Sequence, residues 1–215
     1  MALLLGVDTG GTFTDAVLIH NETEVIASAK ALTTRTDLAI GIGSAVRAVL
    51  TQAAVSPGKV AMASLSTTLA TNALVEGQGG RLGLVYIGFD ARDLETHGLS
   101  NALRGDPVLV LQGGHSHAGG EVVPLDTATL EAWLETVSGI SGFAVAAQFA
   151  TRNPAHENRA AAIITQKTGR PVSCSHHLSA RLNGPKRALT AVLNARLIGM
   201  THRLIGRAED VLAEI

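Results

Sequence analysis

The stretch VDTGGTFTD, residues 7–15, combines two aspartates, a glycine pair and three threonines directly after an apolar run. The apolar run Leu3–Val7 predicts a buried strand that delivers Asp8 to its carboxyl end, where open α/β sheets bind ligands. The glycines then turn the chain back into a second strand. Positive φ angles are open to glycine, and without side chains its neighbouring N–H groups can converge on an anion. The stretch therefore predicts a hairpin that binds phosphate groups.

Asp8 indicates what kind of phosphate ligand the hairpin would hold. A carboxylate beside a phosphate is repulsive unless a divalent cation lies between them, so the pattern favours Mg²⁺ and the phosphate tail of a nucleotide. The alternative is an ordinary glycine-rich hairpin whose aspartate caps the turn. The stretch is neither a Walker A loop nor a dinucleotide fingerprint, because no Lys-Ser/Thr pair and no helix start follows it.

The composition bounds the rest of the chain. With 215 residues, of which 46% are hydrophobic and 16% charged, the chain can fold around a sizeable core. Only 3% are aromatic, so that core is built from aliphatic side chains, as in buried parallel strands and the helices that cover them. The net charge of −1 and the lack of a Lys/Arg run provide no basic surface that would bind nucleic acid or an anionic membrane.

The cysteine count and the apolar runs predict the compartment. Cys174 is the only cysteine, which excludes an internal disulfide framework and fits a reducing environment. The first apolar run is too short for a signal peptide and lacks a basic lead, and no stretch approaches the roughly 20 apolar residues of a membrane span. We therefore expect a cytoplasmic protein with no membrane partner.

Residues 1–90 predict a sheet whose first three strands form an antiparallel meander, because their connections are short. A helix begins at Asp37, with apolar residues recurring on one face. The stretch STTLATNALVEG, residues 66–77, predicts a loop that runs into a helix closed by Gly77. The strands expected here are Leu3–Val7, Thr12–Ile19, Glu24–Ala31, Val60–Leu65 and Arg81–Ile87.

The second half predicts a different architecture. Residues 90–125 are rich in turn residues and are interpreted as an insertion or a strand pair. Helices and strands then alternate, which is typical of a parallel sheet. The prediction is an α/β protein with a hairpin-bearing subdomain over 1–90, a second α/β subdomain with a mixed or parallel sheet over 91–184, and a long helix over 185–215. The alternating elements are Asp126–Val137, Phe143–Gln148, Pro154–Thr168 and Pro171–Ser175.

Four stretches together resemble a known family. The opening hairpin is similar to the first phosphate motif of the superfamily that contains actin, sugar kinases and chaperone ATPases. More narrowly, GVDTGGTFTDAVLI (6–19), STTLATNALVEG (66–77), NPAHENRAA (153–161) and ALTAVLNARLIG (188–199) resemble the N-terminal region of the hydantoinase/oxoprolinase family. The resemblance implies a ribonuclease-H-like, actin-type ATPase subdomain at the start, and it covers nearly the whole chain in the same order.

The resemblance also implies site residues and cofactors. It places five hairpin residues at the phosphates of ATP and at Mg²⁺, with Asp8 orienting the metal through water or accepting a proton. It places the segment Ser66–Thr68 beside the cleft together with Asn72, and Asp15 is matched but expected to brace the hairpin. Thr67 and Thr68 are interpreted either as helix caps alone or as caps that also face the ligand. The five hairpin residues are Asp8, Gly10, Gly11, Thr12 and Thr14.

The function that the resemblance implies is ATP-dependent hydrolysis of a cyclic amide such as a hydantoin or 5-oxoproline. Phosphorylation of the amide oxygen would turn an inert carbonyl into an activated imidate, which explains the need for ATP. The alternatives are a small-molecule kinase of the same superfamily, and an ATP-binding carboxylase subunit or regulator without independent activity. Two departures from the family, Leu65-Ser66 before the threonine pair and LNGPKRALT (182–190) near the last helix, indicate a divergent branch.

Three further groups of polar residues are candidates for other sites. His115 and His117 lie two residues apart and would share one face of an extended segment, where they could bind a transition metal, although a solvated loop is favoured. Cys174, with the adjacent His176-His177 pair, could form a soft metal site or a nucleophile, although packing is favoured because no CxxC partner exists. Lys186-Arg187 at a helix start could meet an acidic ligand, although a solvated face is favoured.

The sequence shows no second phosphate loop and no adenosine-contacting segment. We therefore expect an N-terminal part of a larger enzyme that lacks a C-terminal lobe or a partner subunit, is inactive alone and binds nucleotide weakly. A long apolar stripe on the last helix predicts an uncovered face that drives self-association. The stripe comprises Leu193, Leu197, Met200, Leu204, Ala208, Val211 and Ile215.

Overall fold

The computed structural model describes residues 2–34, 37–68, 73 and 79–214, and it contains two compact units. The first unit is formed by residues 1–78 together with 201–215, and the second by residues 79–200. The sequence places a boundary near residue 90, whereas the strand Leu82–Ile87 pairs only within the second unit. The reason is that this strand is apolar throughout and is buried on both faces by second-unit partners.

The first unit contains one mixed sheet of four strands. In chain order these are β1 (Leu3–Thr9), β2 (Phe13–His20), β3 (Glu24–Leu32) and β4 (Val60–Thr67). Their order in the sheet is β3-β2-β1-β4. The pairs β1–β2 and β2–β3 are antiparallel, and β4 pairs with β1 in parallel. The predicted meander and the ribonuclease-H-like start of the chain are confirmed.

One face of this sheet is covered by α1 (Leu38–Ala53). The helix begins where the Asp37 side chain accepts the Ala39 N–H at 3.1 Å, and it ends at Ala54, whose φ of 51° is left-handed. Its apolar face packs on alternate residues of β1 and β2, such as Leu5 and Leu18, which are buried. Burial of each such side chain stabilises the fold by about 1.5–3 kcal/mol. The helix is therefore held on this face, and the opposite face of the sheet stays open.

The predicted uncovered stripe on the last helix is wrong in its central part. Within the first unit, Leu204 and Ala208 are 6% and 3% exposed and belong to the same apolar core as α1 and the sheet. The residues from 201 onward supply a second helical segment over the covered face, which sequence periodicity alone cannot reveal. These two residues are therefore not available to drive self-association.

The second unit contains a fully parallel sheet. Its strands are β5 (Leu82–Ile87), β6 (Val108–Leu111), β7 (Gly142–Ala147) and β8 (Val172–Cys174), in the order β6-β5-β7-β8. Each pairing is parallel, so all four carboxyl ends meet at one edge. The helices of the unit are α2 (Leu99–Leu103), α3 (Thr127–Thr136), α4 (Ala155–Thr168), α5 (Ser175–Leu178) and the part up to Met200 of α6 (Gly184–Ala213).

The segment over residues 90–125 is neither an insertion nor a strand pair. It contains α2 and then β6, which joins the parallel sheet beside β5, and only one isolated antiparallel bridge, His115–Glu121. β6 has only four apolar residues, and a run this short next to several glycines is not recognisable as a strand from the sequence. None of the helices that the structure describes is long and apolar enough to cross a membrane.

Candidate functional site

The predicted phosphate hairpin lies between β1 and β2. The Gly10 N–H donates to the Phe13 carbonyl at 2.9 Å, which closes a tight turn over residues 10–12. A Cβ atom on Gly10 would lie 3.2 Å from that same oxygen. Gly10 does not adopt a positive φ, so the reason for glycine differs from the one that the sequence suggested. The turn needs glycine there because the backbone approaches closely, not because the backbone is left-handed.

Asp8 lies on the open face of the first sheet. Its register partners are Asp15 on β2 and Ser66 on β4, so all three side chains belong to one row across the sheet. Asp8 is exposed, as is Ser66. The row borders a concavity of about 420 Å³, lined by Gly6, Val7, Asp8, Asp15, Ala16, Val17, Ser28, Ala29, Lys30, Ser64 and Ser66. The structure thus brings the two hairpin acids and a hydroxyl together on one face.

The charges of this row are unevenly paired. Lys30 Nζ lies 2.8 Å from Asp15 Oδ1, so Asp15 has a cationic partner from β3. Asp8 has no ion pair or hydrogen bond from its side chain among the residues that the structure describes. Two carboxylates directly opposite each other repel unless a cation intervenes. Asp8 therefore presents a carboxylate that a cationic ligand would stabilise.

The hairpin threonines do not all share this exposed face. Thr14 is completely buried on the α1 side, and its Oγ1 lies 3.0 Å from Thr33 Oγ1. Thr9, its partner across the hairpin, is 2% exposed, and its Oγ1 is buried without a hydrogen-bond partner among the described residues. Thr14 therefore braces the hairpin from inside, contrary to the expectation that it faces phosphate. Thr12 and Gly11 are exposed at the turn.

The threonine pair lies at the end of β4. Thr67 Oγ1 donates to the Thr9 carbonyl at 3.0 Å, which ties this strand end to the hairpin. Thr68 is exposed at the last described position before residue 73. Asn72 and Gly77 lie outside the described residues, and so does the predicted helix except for Ala73, which is helical and buried. The capping role and the ligand-facing role of the threonine pair both stay predictions.

A second group of polar residues lies at the carboxyl edge of the parallel sheet. Glu157, in the first turn of α4, is completely buried and accepts four hydrogen bonds. Its Oε1 accepts from Ala147 N at 2.8 Å and from Ser175 Oγ at 2.5 Å. Its Oε2 lies 3.0 Å from His176 N and 2.5 Å from His176 Nδ1. Glu157 is not among the residues predicted for a site, although a charged residue that follows Pro154 at a helix start was a usable signal.

Arg187 completes this group. It is 1% exposed, and its Nη2 donates to the Ala147 carbonyl at 2.7 Å while its Nε donates to Ser175 Oγ at 3.3 Å. Burial lowers the pKa of its guanidinium, and the charge of Glu157 opposes that shift. The favoured solvated-face reading is therefore wrong for Arg187, because a helix start can turn a long cation inward toward carbonyls. Lys186 is exposed, as expected.

Cys174 belongs to the core, as the sequence analysis favoured. Its thiol is buried, and burial raises the pKa of that thiol to about 12. The ligand atoms of Glu157, Cys174 and His176 all lie within 4.8 Å of one another. The carboxylate already accepts its hydrogen bonds and the thiol holds its proton, so packing accounts for the cluster without a metal.

His115 and His117 are not brought together. His115 is 2% exposed and its ring centroid lies 4.2 Å from that of His156, whereas His117 is exposed. His156 Nδ1 accepts the Gly114 N–H at 2.9 Å, and its Nε2 lies 2.7 Å from Glu121 Oε1. Burial lowers the pKa of His115. The pair does not share a face from which both rings could bind one transition metal.

Comparison with known proteins identifies relatives for most of this chain. Residues 4–168 match the family model of the hydantoinase/oxoprolinase N-terminal region. The acetophenone carboxylase gamma subunit of Aromatoleum aromaticum is 29% identical over 97% of this chain and 33% of its own. The caprolactamase subunit alpha of Pseudomonas jessenii is 28% identical over 98% of this chain and 33% of its own. This chain thus spans about a third of the length of these relatives.

Two solved structures share the fold. The ATP-dependent caprolactamase from Pseudomonas jessenii matches 98% of this chain and 34% of its own, with 28% identity and a TM-score of 0.75. A nucleotide-free acetone carboxylase, from work on ATP-dependent acetone carboxylation, matches 99% of this chain and 34% of its own. Its TM-score is 0.76 at 19% identity, which supports the fold alone.

Proposed function

This chain belongs to the hydantoinase/oxoprolinase family, and on that premise we propose that it supplies the phosphate-binding hairpin of an enzyme that uses ATP to open a small cyclic amide. The observation that carries the proposal is Asp8, an exposed carboxylate at the end of β1 with no cationic partner among the described residues. The ATP-dependent caprolactamase supports the substrate class, because caprolactam is a cyclic amide. A chain that spans a third of its relatives would act as part of a longer protein or a complex.

The donor set of this row suits Mg²⁺. This ion prefers oxygen ligands, keeps several waters and is bound through one or two carboxylates together with substrate phosphates. Asp8 offers such a carboxylate, and Ser66 offers a hydroxyl from the neighbouring strand. Asp15 would support the site while Lys30 balances its charge. When bound, Mg²⁺ would neutralise charge on the nucleotide phosphates.

The hairpin would act on the phosphates through its backbone. Gly11 and Thr12 present N–H groups at the exposed turn, which Gly10 closes by donating its own N–H to the Phe13 carbonyl, and a tight turn of this kind offers donors to an anion. Thr9 and Thr14 would keep the turn in place from the buried side. Such fixed donors stabilise charge on a transferring phosphoryl group without having to reorganise.

A second candidate is a subunit of an ATP-dependent carboxylase. The relative that favours it is the acetophenone carboxylase gamma subunit, whose identity to this chain is 29%. In cyclic-amide opening and in carboxylation alike, ATP would activate a carbonyl oxygen, so the same hairpin could hold the ATP phosphates in either reaction. The two differ in the product that forms.

The test uses the full-length gene product, purified with any subunit it assembles with. It is incubated with Mg-ATP and caprolactam, hydantoin or 5-oxoproline, and ADP and ring-opened product are measured. We expect ADP release that depends on the cyclic amide, and its loss in Asp8→Asn. ATP consumption that no cyclic amide stimulates would contradict the proposal. Carboxylation of a ketone in the presence of bicarbonate would support the second candidate, and a stable phosphorylated product would indicate a kinase.

A further inference from the structure

Lys30 is the one cationic residue that lines the concavity beside Asp8 in the part of the chain that the structure describes. It belongs to β3, and its register partner on β2 is Asp15, which in turn lies opposite Asp8 on β1. Register partners project from the same face of a sheet, so Lys30 and Asp8 share the open face. Lys30 Nζ already reaches across one strand spacing of about 4.8 Å to Asp15, and Asp8 lies one spacing further. A ligand held by Asp8 is therefore within reach of the ammonium group.

Two contacts position this ammonium group. Nζ lies 2.8 Å from Asp15 Oδ1 and 3.1 Å from Asp15 Oδ2, and it lies 5.0 Å from the centroid of the Phe13 ring. A cation is attracted to the face of an aromatic ring at this distance. Phe13 is itself fixed at the hairpin, because its carbonyl accepts the Gly10 N–H. The cation is thus held next to the turn whose exposed N–H groups would meet the phosphates.

The ion pair leaves the ammonium group open to a further partner. An ammonium group has three N–H donors, and Asp15 is its only hydrogen-bond acceptor among the described residues. The side chains of Lys30 and Asp15 are 56% and 50% exposed. Exposed pairs of this kind contribute little to stability. The fold therefore does not require all three donors, and an anion can share the ammonium group with Asp15.

The charge of the row depends on Lys30 in a way that suits a phosphate. Asp8 and Asp15 each carry one negative charge and Lys30 carries one positive charge, so the row alone has a net charge of −1. A divalent cation at Asp8 would bring the row to +1, whereas the same row without Lys30 would only become neutral. Lysine on an edge strand such as β3 can also serve merely to prevent pairing with another chain, but that role requires neither an acidic nor an aromatic partner.

We propose that Lys30 is a phosphate ligand of this site and that Asp15 is the residue that positions it. This inference rests on the proposed function of the hairpin. The ammonium group stays hydrogen-bonded to Asp15 and donates a remaining N–H to an oxygen of the phosphate that the metal at Asp8 also contacts. Such a charge-assisted hydrogen bond is stronger than a neutral one. Lys30 thereby makes the row a site for a metal together with a nucleotide.

The test compares binding of Mn²⁺ alone with binding of Mn-ATP, because removal of a cation should affect the two in opposite directions. Electron paramagnetic resonance measures bound Mn²⁺ in the full-length protein, assembled with any subunits, for wild type and Lys30→Met. We expect Lys30→Met to bind Mn-ATP about 10- to 100-fold more weakly, the range for loss of a hydrogen bond between charged groups. It should bind Mn²⁺ alone at least as tightly as wild type, because a repulsive charge near Asp8 is gone. Weaker binding of both would indicate a structural role and would overturn the inference.

Two controls separate phosphate binding from neutralisation of Asp15. Lys167→Met removes a lysine from another exposed ion pair, with Glu131 at 3.1 Å, and should leave Mn-ATP binding within threefold of wild type. The double variant Lys30→Met/Asp15→Asn restores the net charge of the row without restoring the ammonium donor. We expect this double variant to bind Mn-ATP at least tenfold more weakly than wild type. Recovery to within threefold would show that Lys30 only neutralises Asp15 and would overturn the inference.

Mn-ATP affinity of Lys30→Met within threefold of wild type would overturn the inference while leaving the proposed function intact. A wild-type protein that binds no Mn-ATP would overturn both. If Lys30→Met does not fold, acetylation of the wild-type protein with acetic anhydride decides instead. Mass spectrometry should show that Mg-ATP slows acetylation of Lys30 but not of Lys167. Equal acetylation of Lys30 with and without Mg-ATP would overturn the inference.

Discussion

The open face of the first sheet and the carboxyl edge of the second sheet both contain acidic residues, but in opposite states. Asp8 is exposed and has no partner among the described residues, next to Asp15, which is held by Lys30. Glu157 is completely buried and accepts four hydrogen bonds. Because Asp8 is exposed and Glu157 is completely buried, the first carboxylate is open to a ligand and the second contributes to the stability of the fold.

The contrast separates a carboxylate that is open to a ligand from one that stabilises the fold. An exposed carboxylate opposite another one adds repulsion to the folded state, so it contributes nothing to stability and gains its partner only from a ligand. A buried carboxylate with all its acceptor sites filled stabilises the folded state, and its removal leaves donors unpaired. Substitutions at Asp8 should therefore lower activity, and substitutions at Glu157 should lower stability.

The largest effect is expected for Asp8→Asn. Loss of the charge that orients the metal should lower amide-dependent ATP turnover of the full-length protein by about 10²–10³-fold, as removal of one electrostatic group does in other enzymes. The free energy of unfolding should stay within about 0.5 kcal/mol of wild type, because the group is exposed. Asp15→Asn is the matched control and should lose less than tenfold. Equal losses at both positions would mean that the pair acts as a unit.

Gly10→Val should abolish turnover while the fold survives. Even a Cβ atom there lies 3.2 Å from the Phe13 carbonyl, and two further methyl groups would fill the space above the turn. Gly10→Ala, which adds only the Cβ, should lose much less activity. The measurements are ADP release and circular dichroism. Normal turnover in Gly10→Val would show that the hairpin does not approach a phosphate.

Glu157→Ala tests the other side of the contrast. We expect the free energy of unfolding to fall by about 3 kcal/mol, because the N–H groups of Ala147 and His176 lose their acceptor and the buried guanidinium of Arg187 loses a nearby opposite charge. Glu131→Ala, which removes an exposed ion pair with Lys167, should cost less than about 1 kcal/mol. Urea unfolding of the three proteins measures both values. A Glu157→Ala protein as stable as Glu131→Ala would mean that the network carries no stability.

The smallest effect is a pH dependence that involves His115. Burial lowers its pKa in the folded state, with the neighbouring charge of His156 adding to the shift and that of Glu121 opposing it. The unfolded chain then binds the proton first as the pH falls below about 6.5, so stability present at neutral pH is lost on acidification. His115→Asn should flatten the decline of unfolding free energy between pH 7 and 5, measured in urea, whereas His117→Asn should leave it unchanged.

The sequence predicted what local patterns determine. The hairpin, the meander and the later helix–strand alternation follow from apolar spacing and turn residues, and the structure confirms them. The positions of Thr14 and Arg187 do not follow from such patterns. A threonine next to an exposed turn is buried because α1 covers its face, and an arginine at a helix start is buried because carbonyls from distant segments surround it. Glu157 was missed for the same reason, since its four donors come from residues 147, 175 and 176.

The most direct test of the account is metal–nucleotide binding at Asp8. Mn²⁺ replaces Mg²⁺, and electron paramagnetic resonance measures how much of it is bound in the presence of ATP by the full-length wild-type protein and by Asp8→Asn. We expect Asp8→Asn to bind Mn-ATP at least tenfold more weakly, while Asp15→Asn binds it within threefold of wild type. Equal affinity in wild type and Asp8→Asn would contradict the claim that this carboxylate holds the metal of the nucleotide.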